Sequence, residues 1–142
     1  MRSIDLFCSV IDNFGDAGCV YRLAKELSYA LPDWRVRVFT DTMGVFHNLL
    51  PSIIATQPVQ TVNSIKYIDS KTLTDESVAR LGVADFVVEV LGCGIPEVYH
   101  RRARVASRAI INLEALTAES WAEEYHLKQS LVPEGEAPHY FF

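Results

Sequence analysis

The stretch IDLFCSVIDNFGDAGCVYRLAKELSYAL, residues 4–31, decides the fold class of this chain. It opens with a nearly continuous apolar run, Ile4–Val10, which is typical of a parallel strand covered on both faces. An acidic turn with glycines follows, and from about Gly18 to Leu31 apolar residues recur at the spacing of one buried helix face. The helix ends at Pro32, and a second apolar run, Val36–Thr40, begins the next strand. The stretch therefore predicts a strand–helix–strand unit.

The rest of the chain continues this alternation of strands and helices. The pattern predicts a helix at Val45–Leu50 and two short strands between Ile53 and Asp69. A helix at Leu73–Leu81 follows, with Thr74 as its N-cap and Gly82 as its stop. The predicted elements after it are a strand at Phe86–Leu91, a helix from Pro96 to about Ala106, a strand at Ala109–Leu113 and a last helix at Ala118–Leu127. Such alternation predicts an α/β fold with a doubly wound, mostly parallel sheet.

Composition bounds the class of protein. The chain has 142 residues, 49% of them apolar and 22% charged, which suits one globular domain rather than a disordered segment. Its net charge of −5 argues against a nucleic-acid-binding protein. The sequence shows no signal peptide and no membrane-spanning apolar run, so we expect a soluble cytoplasmic protein without a membrane partner. The three cysteines and four histidines lack metal-ligand spacing, so we expect free thiols and no zinc site.

The acidic turn holds the leading candidates for chemistry, Asp12 and Asp16. Ligands of open α/β sheets bind at the carboxyl ends of the strands, and a helix N-terminus there normally favours an anion. Negative side chains at that point predict a base or a site for a cation, because a helix N-terminus stabilises an ionised carboxylate. A plainer interpretation stays open, in which Asp16 is a helix N-cap and Gly15 and Gly18 are turn residues with unusual φ.

Other candidates each have a plainer, structural interpretation. Glu89 and Glu114 lie at the ends of predicted strands, where acids are also common in turns. Gly92 and Gly94 suit either a close approach to a ligand or a tight turn. The basic run from His100 to Arg104, with Arg108, is typical of a solvated helix face. The sequence contains no dinucleotide fingerprint, phosphate-binding loop or nucleophile elbow. Asp12 and Asp16 are four residues apart, and Asp41 follows the second strand, so the pattern does not suit a phospho-receiver domain.

The chain closes on three aromatic residues, Tyr140-Phe141-Phe142. Such residues at a free end need a covering surface. Either they dock back on the domain, or the chain is cut from a longer protein, and we expect the second.

Several stretches resemble the bacterial elongation factor P arginine rhamnosyltransferases, the EarP family. The matching stretches run through the chain in the family's order: Leu6–Gly18, Tyr21-Arg22-Leu23-Ala24, Ile110–Glu114, Ala118-Glu119 and Tyr140–Phe142. The chain departs from the family pattern at Ala17, Tyr21 and Ala115.

The resemblance implies the N-terminal, acceptor-binding Rossmann-like domain (residues 1–142) of an inverting, metal-independent GT-B glycosyltransferase without a cofactor. Such an enzyme moves rhamnose from dTDP-β-L-rhamnose to an arginine of elongation factor P, with most donor contacts in a C-terminal domain that this chain lacks.

The resemblance also implies roles for particular residues. Asp16 matches the general base, Asp12 binds the guanidinium or fixes the loop, and Asn13, Phe14, Gly15 and Glu114 bind substrate. Two other functions stay open at this point: a non-catalytic protein-interaction domain, and a GT-B enzyme with another acceptor.

Overall fold

A computed structural model describes residues 1–10, 13–114 and 120–142 of the chain. Within these ranges it forms the strands β1 Ser3–Cys8, β2 Arg35–Thr40, β3 Val59–Val62, β4 Ile65–Asp69, β5 Phe86–Val90, β6 Ala109–Leu113 and β7 His139–Phe141, and the helices α1 Asn13–Ala30, α2 Met43–Leu49, α3 Asp75–Leu81, α4 Glu97–Ala106 and α5 Ser120–Tyr125. A single 3-10 turn covers Ser70–Thr72. Among the helices so described, none combines the length and apolar character that crossing a membrane requires.

The strands form one sheet in the order β3-β4-β2-β1-β5-β6-β7. All neighbouring pairs are parallel except β3 and β4, which form an antiparallel hairpin at one edge. From β1 the chain moves outward through β2 to β4 and then returns to β5 on the other side of β1. The prediction of a doubly wound, mostly parallel sheet is confirmed, and the carboxyl ends of β1 and β5 form its topological switch point.

Strand alternation separates two cores on the two faces of the sheet. In β1, Leu6 and Cys8 pack with α1 and α2, while Phe7 faces α3 and α4. Phe7 stacks on Phe39 of β2 with ring centroids 4.5 Å apart and meets the edge of Tyr99 from α4 at 4.7 Å. Both faces are therefore covered, as the nearly continuous apolar strand sequences indicate.

Helix α1 begins at Asn13, so the predicted start at Gly18 was wrong. Gly15 and Gly18 lie inside the helix, although an interior glycine costs roughly 1 kcal/mol relative to alanine. Ala17 and Val20 are fully buried against the sheet, and this packing explains why the helix extends across the glycines. Asp16 is consequently a residue of the first helical turn and not an N-cap.

Most other boundaries lie close to the predictions, and the predicted N-cap Thr74 and stop Gly82 of α3 are confirmed. The structure adds that Thr74 forms a capping box with Ser77 and that Gly82 has a φ of 67°. Strand β1 ends at Cys8 rather than Val10, because its partner β2 ends at Thr40 opposite Cys8. Helix α5 ends at Tyr125 rather than Leu127, whose φ of 60° is not helical. The predicted start of that helix at Ala118 lies outside the described residues.

The terminal aromatics are part of the sheet. His139–Phe141 forms β7 in parallel with β6, and the carbonyl of Phe142 accepts a hydrogen bond from the Glu114 N–H at 2.9 Å. The interpretation in which these aromatics dock on the domain is therefore confirmed for the strand, although Phe142 itself is half exposed.

A buried ionic network joins four segments near the middle of the sheet. Asp5 of β1 and Arg37 of β2 are both fully buried and form a two-pronged pair with N···O distances of 2.6 and 2.7 Å. The Tyr99 hydroxyl of α4 donates to Asp5, and Arg37 also donates to the carbonyls of Leu81 and Gly82 at 2.9 Å. Burial alone acts to lower the pKa of Arg37, but the hydrogen bonds and charge of Asp5 outweigh it and raise that pKa. Each charge is therefore compensated within the network.

Removing one partner of this pair should strongly destabilise the fold. We expect Asp5→Ala or Arg37→Met to lower the free energy of unfolding by about 3–5 kcal/mol, because each leaves an uncompensated buried charge. Replacing both, as Asp5→Leu with Arg37→Met, should cost less than the two single losses summed. Urea unfolding followed by circular dichroism measures these values. Arg101→Met, which removes an exposed ion pair with Asp75, is the matched control and should change the free energy of unfolding little. If Arg37→Met and Arg101→Met lowered that free energy equally, the result would contradict the stabilising role of the buried pair.

Two histidines meet where β7 packs on α4. The rings of His139 and His100 lie 5.8 Å apart, and the Nε2 atoms of both are buried without a hydrogen-bond partner among the described residues. Burial and the neighbouring His100 lower the pKa of His139 below its ordinary 6.5, with Arg104 acting in the same direction and Glu136 and Glu89 opposing. Folding therefore favours the neutral form of His139.

This lowered pKa predicts a loss of stability in mild acid. Protonation of His139 is less favourable in the folded state than in the unfolded state. The contribution of neutral His139 to the free energy of unfolding is therefore fully present above the unfolded pKa of 6.5 and is lost as the pH falls below that value. Between about pH 7.5 and about pH 5.5, wild type should lose more free energy of unfolding than His139→Gln. The exposed His126→Gln variant serves as control and should keep the wild-type pH slope. An unchanged slope in His139→Gln would refute the prediction.

Candidate active site

The topological switch point brings two loops together at the carboxyl edge of the sheet. One leads from β1 into α1, and the other, Leu91–Pro96, leads from β5 into α4. The Cys93 thiol of the second loop donates to the Phe7 carbonyl of β1 at 3.2 Å. The crevice between such loops is where open α/β sheets bind ligands, so this edge is the candidate active site.

Asp16 lies on the first turn of α1, at the β1 side of this crevice, and is half buried. Phe14 and Gly15, in the same turn, are exposed, with 52% of the Phe14 side chain accessible. Asp16 is close enough to β1 for its charge to act on the Cys8 thiol. Three of the predicted residues are thus together at one open helix end, where the positive end of the helix dipole stabilises a carboxylate.

The remaining predicted residues are placed differently. Asp12 lies outside the described residues, and Asn13 is the first residue of α1. Glu114 is exposed and directly follows β6, two strands from β1 and so roughly 10 Å along the sheet edge at the usual strand spacing. It shares the carboxyl edge with Asp16 but lies at a different part of it.

Asp41, which follows β2, fixes the loop that precedes α1. Its carboxylate accepts hydrogen bonds from the Ser9 hydroxyl at 2.7 Å, the Thr42 hydroxyl at 2.8 Å and the Val10 N–H at 3.4 Å. Burial acts to raise the pKa of Asp41, but these hydrogen bonds outweigh burial and lower that pKa below its ordinary 3.8. The sequence pattern alone does not reveal this role, which depends on the adjacency of the carboxyl ends of β1 and β2.

Glu89 plays a similar part in the second loop. It is half buried in β5, and its carboxylate accepts a hydrogen bond from the Gly94 N–H at 2.9 Å. Leu91, Gly92 and Gly94 have positive φ values of 54°, 63° and 79°. The positive φ values account for glycine at both positions, and a Cβ added there would meet no protein atom within 4 Å.

The cysteines of this edge are free but unsuited to nucleophilic catalysis. The prediction of free thiols is confirmed for Cys8, Cys19 and Cys93. Burial, aided by neighbouring charges, raises the pKa of Cys8 to about 12, and burial together with the charge of Glu89 raises that of Cys93 to about 11. Because the thiolate is the reactive form, both thiols are structural at neutral pH.

The basic run on α4 forms ion pairs within the domain. Arg101 pairs with Asp75, Arg104 with Glu97 at 2.8 Å, and Arg108 with Asp85 at 3.1 Å. All three arginines are solvent-accessible, which confirms the solvated helix face.

This arrangement suits a cationic ligand. Among the described carboxylates at this edge, Asp41 and Glu89 accept hydrogen bonds from the loops that follow β1 and β5. Over residues 1–10, 13–114 and 120–142, no group of three or more His, Cys, Asp or Glu side chains is arranged to hold a metal ion. A half-buried carboxylate on the first turn of a helix can bind a guanidinium or ammonium group and accept its proton.

Comparison with known proteins points to one family. The model of the elongation-factor P (EF-P) rhamnosyltransferase family EarP matches residues 4–142. Protein-arginine rhamnosyltransferases of Pseudomonas aeruginosa and Pseudomonas putida are 33% and 34% identical over 100% and 97% of this chain. One from Neisseria meningitidis is 31% identical over 96% of the chain. The chain spans only 35–37% of the lengths of these relatives.

The anchoring of the first loop by Asp41 is directly testable. Asp41→Ala should lower the free energy of unfolding by about 1 kcal/mol, since three hydrogen bonds to a solvent-screened carboxylate are lost. The lowered pKa of Asp41 means that this contribution is present above 3.8 and disappears as the pH falls further. Urea unfolding and amide exchange at Val10 measure the effect. The exposed Asp33→Ala is the control, and unchanged exchange at Val10 would contradict the anchoring role.

Proposed function

This chain belongs to the elongation-factor P rhamnosyltransferase family EarP, and we propose that it is the acceptor-binding domain of an enzyme that rhamnosylates an arginine of elongation factor P. The family match over residues 4–142 carries the proposal. The acidic, open end of α1 supports it, because an arginine acceptor is a cation.

The donor in this proposal is dTDP-β-L-rhamnose, and the enzyme has the two-domain GT-B architecture. The residues described here supply the acceptor side, and a second domain binds most of the nucleotide sugar. Crevices at the carboxyl edges of two facing α/β sheets then form one cleft. The switch point between β1 and β5 is the part of this chain that faces it.

The proposed reaction is a single displacement with inversion and without a metal ion. A terminal nitrogen of the acceptor arginine attacks the anomeric carbon of rhamnose, and the bond from that carbon to the diphosphate oxygen breaks. The electron pair of that bond leaves with dTDP, and the attacking nitrogen gives up one proton. The acceptor domain must therefore hold the guanidinium in line with the leaving group and receive this proton.

Asp16 is the proposed general base. A guanidinium is too weak an acid for a carboxylate to deprotonate in the ground state. Asp16 therefore first orients the nitrogen through a charge-assisted hydrogen bond and takes the proton late, as the C–N bond forms and acidifies the nitrogen. The neighbouring Ala17 is fully buried, so the packing of this helical turn holds the backbone of Asp16 in a fixed position.

The other substrate contacts follow from the same placement. We propose that Asp12 binds the guanidinium or fixes the loop, and that Asn13, Phe14 and Gly15 line the cleft near the sugar. Phe14 is exposed at 52% and offers a flat ring to the acceptor cation or the deoxysugar. Glu114, farther along the edge, is suited to a second contact with the basic acceptor protein.

The reaction class is tested with a chimaeric enzyme in which residues 1–142 replace the matching region of the Pseudomonas aeruginosa relative. The substrates are elongation factor P and dTDP-β-L-rhamnose, and the readout is the intact mass of the acceptor. A gain of one deoxyhexose, mapped to an arginine by fragmentation, supports the proposal. A folded chimaera that binds another protein but neither binds nor modifies elongation factor P would favour a non-catalytic interaction domain.

Within that chimaera, Asp16→Asn should lower kcat by about 10²–10⁴-fold, the usual worth of a positioned base. The binding of elongation factor P should change far less, since the variant keeps the size of the side chain. Glu26→Gln, an exposed acid on the same helix, is the matched control and should keep wild-type turnover. Wild-type turnover in Asp16→Asn would rule out the base assignment.

A further inference from the structure

An aromatic groove lies beside β7, the last strand of the sheet, and outside the candidate active site. It holds about 510 Å³, and its apolar lining comes from Trp121 and Tyr125 of α5, Leu131 and Phe141 of β7. The rings of Trp121 and Tyr125 each meet the Phe141 ring edge to face, with centroids 6.0 and 6.4 Å apart. A groove of this volume is large enough to receive side chains of another protein segment.

Backbone hydrogen bonds hold the groove against the sheet. The Leu127 N–H donates to the Phe141 carbonyl at 2.6 Å, and the Phe141 N–H donates to the Lys128 carbonyl at 3.0 Å. The Ser130 N–H donates to the His139 carbonyl at 2.8 Å. The backbone around the groove is therefore paired with β7, although the side chains of this segment remain largely exposed.

The segment exposes more apolar surface than a helix of a globular domain normally does. All six residues of α5 are exposed or only half buried, and Trp121 and Tyr125 keep 40% and 52% of their surface accessible. Leu131 is fully exposed. A helix in a globular domain usually buries one apolar face, and apolar residues that are exposed together mark an interaction site. The groove therefore has the character of an interface.

The lining decides what chemistry suits an occupant. Its polar members are Lys128, Gln129 and Ser130, and among the described lining residues Lys128 carries the only charge. Aromatic and aliphatic walls favour apolar side chains. A cationic occupant would be repelled by Lys128, so the groove is unsuited to the arginine-bearing part of the proposed acceptor protein. An apolar protein segment fits the lining best.

The relatives indicate where such a segment can come from. This chain spans only 35–37% of the lengths of the Pseudomonas and Neisseria rhamnosyltransferases, so nearly two thirds of each of those proteins lies outside the matched region. Permanent interfaces are more apolar than those that form and break at each encounter. The groove also lies three strands from β1, roughly 14 Å along the sheet at the usual strand spacing, which separates it from the transfer crevice.

We propose that the aromatic groove is a permanent docking surface for an apolar segment of the longer enzyme beyond residue 142. This inference rests on the proposed two-domain function and adds to it a named contact surface. The docked segment places apolar side chains between Trp121, Tyr125 and Leu131 and covers α5. A second copy of this chain suits the groove less well, because a symmetric contact would bring two Lys128 side chains together.

Hydrogen exchange followed by mass spectrometry tests this docking on the 142-residue chain and on the folded chimaera described above. Peptides over residues 120–131 should exchange quickly in the 142-residue chain and at least about tenfold more slowly in the chimaera, because docking suppresses local opening of this segment. Peptides over α3, which does not line the groove, should exchange equally in both proteins and so control for a general gain of stability.

A pair of variants separates docking from the stability of the chain itself. Leu131→Ser changes a side chain that is fully exposed, so the free energy of unfolding of the 142-residue chain should stay the same. In the chimaera the same change should speed exchange over residues 120–131 about tenfold, because a leucine that docking buries is lost. Val105→Ser, at an exposed valine of α4, is the matched control and should leave that exchange unchanged in both proteins.

The outcomes distinguish the possible occupants. Slow exchange over residues 120–131 in the dilute 142-residue chain overturns the proposal, because the surface is then closed without the rest of the enzyme. Protection that needs a high concentration of this chain assigns the groove to a second copy, and protection that needs added elongation factor P assigns it to the acceptor; either result overturns docking. A chimaera that transfers rhamnose but exchanges as fast as the chain overturns this inference alone. Protection without transfer supports docking and counts against the proposed function.

Discussion

The buried pair of Asp5 and Arg37 is the interaction on which the rest of this structure depends. Two charges have been removed from water, and the network compensates them with the Tyr99 hydroxyl and the carbonyls of Leu81 and Gly82. These partners come from β1, β2, α4 and the end of α3, so one polar cluster fixes the position of each element relative to the others. Because β1 and β5 border the switch point, this cluster also sets where the candidate active site forms.

The carboxyl edge uses its acids for two different purposes. Asp41 and Glu89 accept hydrogen bonds from the loops that follow β1 and β5, and so help to fix the shape of these loops. Asp16 instead projects from a helical turn whose packing is provided by Ala17. A carboxylate can orient a cationic nucleophile when the helix that carries it is well packed and the loops around it are fixed by hydrogen bonds.

The order of strands and helices was predictable because each has a strong local pattern: continuous apolar runs in β1 and β5, and helical spacing in α1. The errors arose where tertiary contacts override local preference. Glycines at 15 and 18 argue locally against a helix, but burial of Ala17 and Val20 extends α1 back to Asn13. Likewise Asp5 and Arg37 are only polar interruptions of two strands until the sheet places them side by side.

The sequence by itself determined the doubly wound α/β class, the acidic segment after β1 as the place to look for chemistry, and the resemblance to a rhamnosyltransferase family. Those features are encoded in contiguous residues and in their periodicity. Only the tertiary structure decided that Asp41 fixes the first loop, that Glu89 fixes the second, and that Trp121 and Phe141 line one groove. These relations join residues far apart in the chain, and their energies depend on burial and distance, which no local pattern contains.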